Sequence, residues 1–111
     1  MDLFSVICVS NLSEALPWYE ALLGRRVDEV MGKEHLWQLS ANAWVVIDER
    51  PAKAGGAVLT LGVDNLGEIL DRLAAEGFGH EPVEIYPNGV RHVDVLDPDG
   101  NSVSLAEAPA A

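Results

Sequence analysis

The sequence has little of three things: cysteine, positive charge and long apolar runs. One of its 111 residues is a cysteine, Cys8, so the chain cannot form an internal disulfide. Cys8 lies in an alternating apolar stretch, which favours a structural thiol over a nucleophile. No apolar run approaches transmembrane length, and Asp2 stands where a secretory signal carries basic residues. We therefore expect a cytoplasmic protein that has no membrane partner.

Positive charge is scarce, because 7 Lys and Arg residues are outnumbered by 18 Asp and Glu residues and the formal net charge is −11. Nucleic acids are bound through clustered Lys and Arg, so we expect no nucleic-acid partner. The acidity favours a cationic ligand, although it also serves solubility alone. Hydrophobic residues make up 49% of the chain, which is enough for one folded domain of this length.

The D-P-D-G-N segment at residues 97–101 is the clearest local signal. Pro98 presets the backbone for the second position of a type I turn, and Asp97 can accept hydrogen bonds from amides ahead of it. Gly100 accepts whatever φ the exit from the turn requires. Alternating apolar residues flank the segment on both sides, so it predicts a β-hairpin.

An amphipathic helix is predicted over residues 12–23, where apolar residues recur at helical spacing. Asn11 offers an N-cap, and Glu14 stands three residues later in the position of a capping-box acid. Pro17 falls past the first turn of a helix that Asn11 caps, and it lacks a backbone donor. We therefore expect the helix to begin nearer Ser13 or to bend at the proline.

The pattern begins again after a linker-like stretch at residues 51–56. The segment N-L-G-E-I-L at residues 65–70 repeats the arrangement of N-L-S-E-A-L at residues 11–16, and helical spacing continues to Gly77. Such self-similarity indicates a structural repeat. Strands are predicted at residues 3–9, 26–30, 35–39, 44–48, 57–63, 81–85, 90–96 and 102–106. The chain thus divides into two βαβββ modules, at about residues 1–50 and 57–107.

Two motifs connect this repeat with a known family. Trp18-Tyr19 followed by Leu23-Gly24 on the first helix, together with the D-P-D-G-N hairpin, resembles the glyoxalase / bleomycin-resistance / extradiol-dioxygenase group, the vicinal oxygen chelate superfamily. The resemblance extends over nearly the whole chain. It implies an α+β fold in which the tandem modules form a curved, cup-shaped mixed sheet of eight strands with helices on its outer face. The fold does not decide the function, because it serves metal enzymes and metal-free binding proteins alike.

Enzymes of this superfamily commonly hold a divalent metal with His or Glu ligands from the first and last strands of each module. Matched to this sequence, the first-strand positions fall on Phe4 and Val58, and the last-strand position of the second module falls on Ser104. The last strand of the first module, around residues 44–47, offers no ligand either. Phenyl and isopropyl groups cannot bind a metal, and a hydroxyl poorly replaces a carboxylate. We therefore expect no metal cofactor.

The histidines leave two alternatives open. His35 and His92 lie on separate predicted strands with Asp94 nearby, so a non-standard metal site is one alternative. A metal-free proton-transfer enzyme that uses His92 and Asp94 is the other. Ordinary surface or pocket histidines are the simpler interpretation. The sequence has no nucleophile-elbow, P-loop or dinucleotide-binding motif.

The candidate ligand site is the inner surface of the predicted cup. If Val93 and Val95 face the helix, strand alternation points their neighbours inward. The candidate ligand-binding residues are Phe4, Trp37, Trp44, Val58, Thr60, Tyr86, His92, Asp94, Ser102 and Ser104. Val6, Cys8 and Leu96 point inward by the same alternation. The aromatic residues can stack on a planar or cationic ligand, or they can pack in the core or in a dimer interface.

These observations lead to one functional hypothesis and two alternatives. The hypothesis is a metal-free, homodimeric protein of the bleomycin-resistance type that sequesters a planar or cationic organic compound, such as an antibiotic, without turning it over. The first alternative is a metal-dependent glyoxalase- or dioxygenase-type lyase or isomerase with non-standard ligands, or the proton-transfer enzyme. The second is a domain that serves only dimerisation or regulation.

Overall fold

The computed structural model describes residues 1–110 and contains two helices and eight strands in the predicted order. In chain order they are β1 (Leu3–Val9), α1 (Leu12–Leu23), β2 (Glu29–Met31), β3 (Glu34–Ser40), β4 (Ala43–Glu49), β5 (Val58–Val63), α2 (Leu66–Ala75), β6 (Glu84–Ile85), β7 (Arg91–Leu96) and β8 (Ser102–Glu107). A single turn of 3₁₀ helix, Pro51–Lys53, interrupts the connection between β4 and β5. This order confirms the α+β class and the tandem βαβββ modules.

Hydrogen bonding divides the eight strands into two four-stranded mixed sheets, which do not close on each other. Their strand orders are β1-β4-β3-β2 and β5-β8-β7-β6. In each sheet the first strand of the module pairs in parallel with the last, and the remaining pairs are antiparallel. The two sheets therefore repeat one topology, and β1 and β5 are their equivalent edge strands.

Each sheet has one face toward the helices and one face away from them. On β1, Ile7 and Val9 are buried in the core, whereas Phe4 and Val6 are exposed. We call the side that carries Phe4 and Val6, together with the equivalent side of the second sheet, the open faces. Val93 lies in the core on the helix-facing side, which is the orientation assumed in the sequence analysis.

One core serves both modules, because the two helices pack against each other and against both sheets. Trp18 and Tyr19 of α1 are fully buried and meet edge to face, with 4.7 Å between ring centroids. Leu66 and Leu73 of α2 are buried in the same cluster. Aromatic rings in such a core contribute both apolar burial and a defined packing geometry. Trp18 is therefore a packing residue.

The N-terminus of α1 is capped by its own sequence. The Asn11 Oδ1 accepts a hydrogen bond from the Glu14 N–H at 3.2 Å, and the helix begins at Leu12. Pro17 lies within the helix, so the expectation that the helix begins nearer Ser13 is wrong. Packing of the whole apolar face outweighs the loss of one backbone hydrogen bond.

The N-terminus of α2 differs although its sequence repeats that of α1. The Asn65 side chain caps no backbone amide, and its Nδ2 donates to Glu68 Oε2 at 3.3 Å instead. The predicted capping arrangement is therefore present in the first module and absent from the second. Neither helix of the described chain is long and apolar enough to cross a membrane.

The D-P-D-G-N segment, here called the closing turn (residues 97–101), forms the predicted hairpin between β7 and β8. The Asp97 Oδ1 accepts hydrogen bonds from the Asp99 and Asn101 N–H groups, both at 2.9 Å. The Gly100 N–H donates to the Asp97 carbonyl at 2.9 Å, and Gly100 has a φ of +89°. Local turn chemistry thus determines this hairpin, as predicted.

The closing turn also joins the two modules. The Asn101 side chain accepts from the Gly55 and Ala57 N–H groups at 3.1 and 2.9 Å, and it donates to the Cys8 carbonyl at 2.9 Å. The Tyr19 hydroxyl donates to Asp97 Oδ2 at 2.6 Å. Burial, followed by this hydrogen bond, raises the pKa of the Tyr19 phenol far above its usual range. The two motifs that carry the family resemblance therefore contact each other in the core.

Candidate functional site

The two modules can be compared residue by residue because their hydrogen bonds repeat. The Leu12 N–H donates to Glu49 Oε2 at 3.0 Å, and the Leu66 N–H donates to Glu107 Oε2 at 2.9 Å. Strand registers then relate the open faces: β1 pairs with β4, and β5 pairs with β8, in the same way. The equivalent pairs on the open faces are Phe4 and Val58, Val6 and Thr60, Trp44 and Ser102, Val46 and Ser104, and Leu36 and Asp94.

The open face of the first module is aromatic and aliphatic. Phe4 and Trp44 stand side by side in register, with ring centroids 5.8 Å apart and an angle of 11° between their planes. Phe4 is 50% exposed and Val6 is 49% exposed, so this surface is available to a ligand or a partner. A flat pair of rings of this kind offers a stacking platform to a planar or cationic group.

The open face of the second module is polar. The Ser104 Oγ–H donates to Asp94 Oδ1 at 2.6 Å, and the His92 Nε2 lies 3.8 Å from the same oxygen. Tyr86 stacks on His92, with ring centroids 5.5 Å apart. Asp94 and Ser102 line a surface cavity of about 410 Å³. This cluster presents a carboxylate, a hydroxyl and an imidazole within one small area.

The residues at the superfamily's metal-ligand positions do not fit a metal ion. Phe4, Val46, Val58 and Ser104 occupy those positions on the open faces, and three of the four lack any donor atom. The non-standard histidine site is excluded by geometry, because His35 pairs with the core residue Ile47 and therefore faces the helices. Across residues 1–110, no three His, Cys, Asp or Glu side chains form a group that could hold a metal ion.

The structure places nearly all the predicted ligand-binding residues on the open faces. Strand register puts these there: Phe4, Trp44, Val58, Thr60, His92, Asp94, Ser102 and Ser104. Tyr86 lies on the loop after β6 and joins the same side through its stacking on His92. Residues from the two modules are thus distributed over two open faces of different chemistry.

Trp37 is the exception, and its prediction as a ligand contact is wrong. It is 0% exposed, pairs in register with the core residue Val45, and packs against Tyr19. Its Nε1–H donates to the Arg25 carbonyl at 3.1 Å, so its polar group is satisfied within the fold. Strand alternation places Trp37 on the side opposite to Leu36 and therefore in the core.

Several open-face residues of the first module were not predicted. Leu36 and Val46 are buried neighbours across β3 and β4, and Gln38 pairs with Trp44. Asp48 is almost fully buried, and its Oδ2 accepts a hydrogen bond from Arg50 Nε at 2.6 Å. The alternation of β4 already contained this information, because Trp44, Val46 and Asp48 must share one face.

Comparison with known proteins identifies relatives over most of the chain. The sequence model of the Glyoxalase/Bleomycin resistance protein/Dioxygenase superfamily matches residues 3–105. The crystal structure of a glyoxalase / bleomycin resistance protein from Catenulispora acidiphila DSM 44928 is 37% identical, with a TM-score of 0.90 over 98% of this chain and 99% of that one.

Two further relatives differ from each other in their described roles. A bleomycin-binding protein solved in complex with bleomycin is 16% identical, with a TM-score of 0.76 over 96% of this chain and 98% of that one, so it shows the fold alone. A protein of Roseiflexus castenholzii described as a 3-dehydroquinate dehydratase is 31% identical over 88 residues, or 79% of this chain. The chain spans about half the length of this curated relative, because the match covers 52% of it.

Proposed function

Because the chain belongs to the Glyoxalase/Bleomycin resistance protein/Dioxygenase superfamily, we propose that it binds a small organic molecule on its open faces without using a metal ion. The mechanism is sequestration: the compound is held and is not turned over. One observation carries the proposal. The positions where the superfamily's enzymes bind metal hold Phe4, Val46, Val58 and Ser104. Three of these side chains offer only apolar contact, and the fourth offers a hydroxyl in place of a carboxylate.

The surface chemistry indicates the class of ligand. The Phe4–Trp44 pair offers a stacking area for a planar ring system, and the net charge of −11 attracts cations over a longer range. Asp94 adds a partly exposed carboxylate on the second open face. A planar or cationic natural product, such as an antibiotic, combines these features. The bleomycin-bound relative supports the proposal because the same fold there holds such a compound.

A homodimer belongs to the same proposal. The open faces and the strand edges expose apolar side chains, among them Val58 at 82% and Ile85 at 73%. Exposed apolar surface and unpaired strand edges are commonly covered in an assembly. Light scattering coupled to size-exclusion chromatography tests this point directly, and a monomer at all accessible concentrations contradicts it.

A thermal-shift panel tests the sequestration proposal. Bleomycin-type, mitomycin-type and other aromatic natural products are added separately to the purified protein, and a true ligand raises the melting temperature by mass action. The expected result is stabilisation by at least one cationic or planar compound, reduced in Phe4→Ala. Absence of stabilisation by every compound contradicts sequestration.

A second candidate function is metal-free proton transfer by the polar open face. Asp94 accepts a hydrogen bond from Ser104 and lies 3.8 Å from His92, which is the arrangement of an oriented carboxylate beside an imidazole. Dehydration of a hydroxy ketone begins with removal of a proton, and one relative is described as a 3-dehydroquinate dehydratase. Turnover of 3-dehydroquinate that Asp94→Asn abolishes supports this candidate, whereas no turnover by the intact protein contradicts it.

A further inference from the structure

A cavity of about 540 Å³ lies at the junction of the two modules, and its lining includes Trp44 and Thr60 of the open faces. Its deepest residues are Leu22 of α1, Ile69 of α2 and Leu105 of β8, all of which are buried in the core. Leu59 and Leu61 of β5 form one wall. They alternate along the strand with Val58 and Thr60, so they face the helices and not the open face. The interior of the cavity therefore lies on the helix-facing side of β5, and the cavity borders the proposed ligand surface at Trp44 and Thr60.

A difference between the two modules at equivalent positions explains why this cavity exists. Because the two modules repeat one topology, they meet at two equivalent junctions, one on each side. The closing turn fills the junction opposite to the cavity, where the Ser10 N–H and Oγ–H donate to the Asp99 carboxylate at 3.0 and 2.5 Å. Asp64 is the residue of the second module equivalent to Ser10. The turn between β3 and β4 is shorter than the closing turn, and within the described chain it makes no hydrogen bond to Asp64.

A second difference enlarges the same space. Counted from the helix starts at Leu12 and Leu66, Trp18 of α1 is equivalent to Arg72 of α2. Trp18 is a buried ring of the common core. Arg72 instead turns toward the end of α1, where its Nε and Nη2 donate to the Ala21 and Leu22 carbonyls at 2.9 and 3.0 Å. One junction is thus filled by the closing turn, whereas the other, which Ser40, Ala43 and Trp44 line, retains a cavity.

The chemistry of the lining selects a type of ligand. Leu and Ile side chains dominate the interior, and the volume lies within the range of about 300–1,000 Å³ typical of small-molecule sites. Asp64 stands at the rim as an exposed carboxylate that forms no ion pair among the described residues. The guanidinium of Arg72 is already engaged by two carbonyls and by Glu68 at 3.6 Å. The free charge at the rim is therefore negative.

We infer that the junction cavity is a second ligand site, with an interior distinct from the open faces, for an apolar molecule that carries a protonated amine. The apolar part fills the space between the helices and β5, and the ammonium group lies at the rim beside Asp64. An anionic molecule of the same shape is disfavoured by Asp64 and by the acidic surface.

Three probes of matched shape test the charge preference: 4-phenylbutylamine, 4-phenylbutan-1-ol and 4-phenylbutyrate. Amide chemical shifts of the labelled full chain report both the affinity and the location of binding. We expect shifts at Leu59, Leu61 and Leu105, and an affinity for the amine about tenfold above that for the carboxylate, which is a difference of about 1.4 kcal/mol. Failure of all three probes to bind the wild-type protein overturns the inference.

Variants then locate the site. Leu61→Trp fills the cavity and is expected to abolish binding of the amine. If Leu61→Trp does not fold, Leu39→Trp serves the same purpose, because Leu39 lines the cavity and is 38% exposed. Asp64→Asn should reduce the preference for the amine and leave the affinity for the alcohol unchanged.

Asp94→Asn is the matched control for Asp64→Asn, because Asp94 is a carboxylate on the open face that lies outside the cavity lining. It should leave binding of the amine unchanged. Loss of binding in Asp94→Asn, or unchanged binding in a folded tryptophan variant, overturns the second site. Neither result alters the separate test of sequestration on the open faces.

Discussion

The two open faces share one backbone plan and carry opposite chemistry. Where the first face carries Val6, Trp44 and Val46, the second face carries Thr60, Ser102 and Ser104 at the equivalent positions. The first face is therefore mainly aliphatic and aromatic, whereas the second is polar and carries hydroxyl groups, a carboxylate and an imidazole. The difference teaches that the repeat preserves the fold, whereas the side chains of each face are free to specialise.

The two junctions between the modules repeat this lesson. One is closed by the closing turn, and the other leaves a cavity of about 540 Å³. In both comparisons the asymmetry comes from a few residues added to an almost symmetric frame. Substitutions at equivalent positions of the two modules can therefore test each assignment with an internal control.

The largest expected effect is on Asn101, which is 0% exposed and joins the modules. Asn101→Ala should lower the free energy of unfolding by about 3–5 kcal/mol, because three part-buried backbone groups and the buried Asp97 carboxylate each lose a hydrogen bond. Asn42→Ala, in the shorter turn of the first module, should change it by less than about 0.5 kcal/mol because Asn42 is exposed. Chemical denaturation measures both, and equal effects contradict the assignment of the closing turn as the joint.

The Tyr19–Asp97 hydrogen bond should have the next largest effect. Tyr19→Phe should cost about 1.5–3 kcal/mol of unfolding free energy, because a buried carboxylate loses a donor. Tyr86→Phe is the control, because Tyr86 is partly exposed and its hydroxyl makes no hydrogen bond within the described chain.

The same hydrogen bond predicts a dependence on pH. The pKa of Tyr19 is raised in the folded state, so the folded state holds the phenolic proton more tightly than the unfolded state does. The contribution to stability is complete below about pH 10, the pKa of an unfolded tyrosine, and is lost as the pH rises above it. Denaturation curves at pH 8 and pH 11 should therefore show a larger loss in the wild type than in Tyr19→Phe. An equal loss in both proteins contradicts the prediction.

The open faces should differ in their effect on ligand affinity. Phe4→Ala should weaken binding of the best panel compound about tenfold, because a stacked ring and its apolar area are lost. Val58→Ala, at the equivalent position, should change the affinity by no more than about twofold if the aromatic face is the main binding surface. The reverse order assigns the ligand to the polar face.

The smallest expected effect separates the two helix starts. Asn11→Ala should cost about 1 kcal/mol of unfolding free energy, because its side chain caps α1. Asn65→Ala should cost only a few tenths of a kcal/mol, roughly, because its side chain caps no amide. Thermal and chemical denaturation of the pair measure the difference, and equal costs contradict the observed asymmetry.

Features encoded by local chemistry were predictable from the sequence. The closing turn, the start of α1 behind Asn11 and the tandem repeat follow from turn residues, capping and periodicity, all of which act over a few residues. The short edge strands were predicted less well: β2 begins at Glu29 and β6 at Glu84, both later than predicted. Edge strands bury little apolar surface, so they leave a weak pattern.

Features decided by tertiary contacts were not predictable in the same way. Asn65 repeats the sequence context of Asn11, yet its side chain contacts Glu68. Trp37 is an aromatic residue on a predicted strand beside the candidate ligand surface, yet the strand register places its side chain in the core. The junction cavity depends on how two segments that are distant in sequence pack together. The periodicity within either segment does not indicate that packing.

Titration calorimetry with and without metal tests the central claim most directly. The best compound of the thermal-shift panel is titrated into protein stripped by a chelator, and then into protein resupplied with Zn²⁺, Mn²⁺ or Fe²⁺. We expect dissociation constants that agree within about twofold under all these conditions. Binding that disappears on stripping and returns with one of the metals contradicts a site formed by Phe4, Val46, Val58 and Ser104.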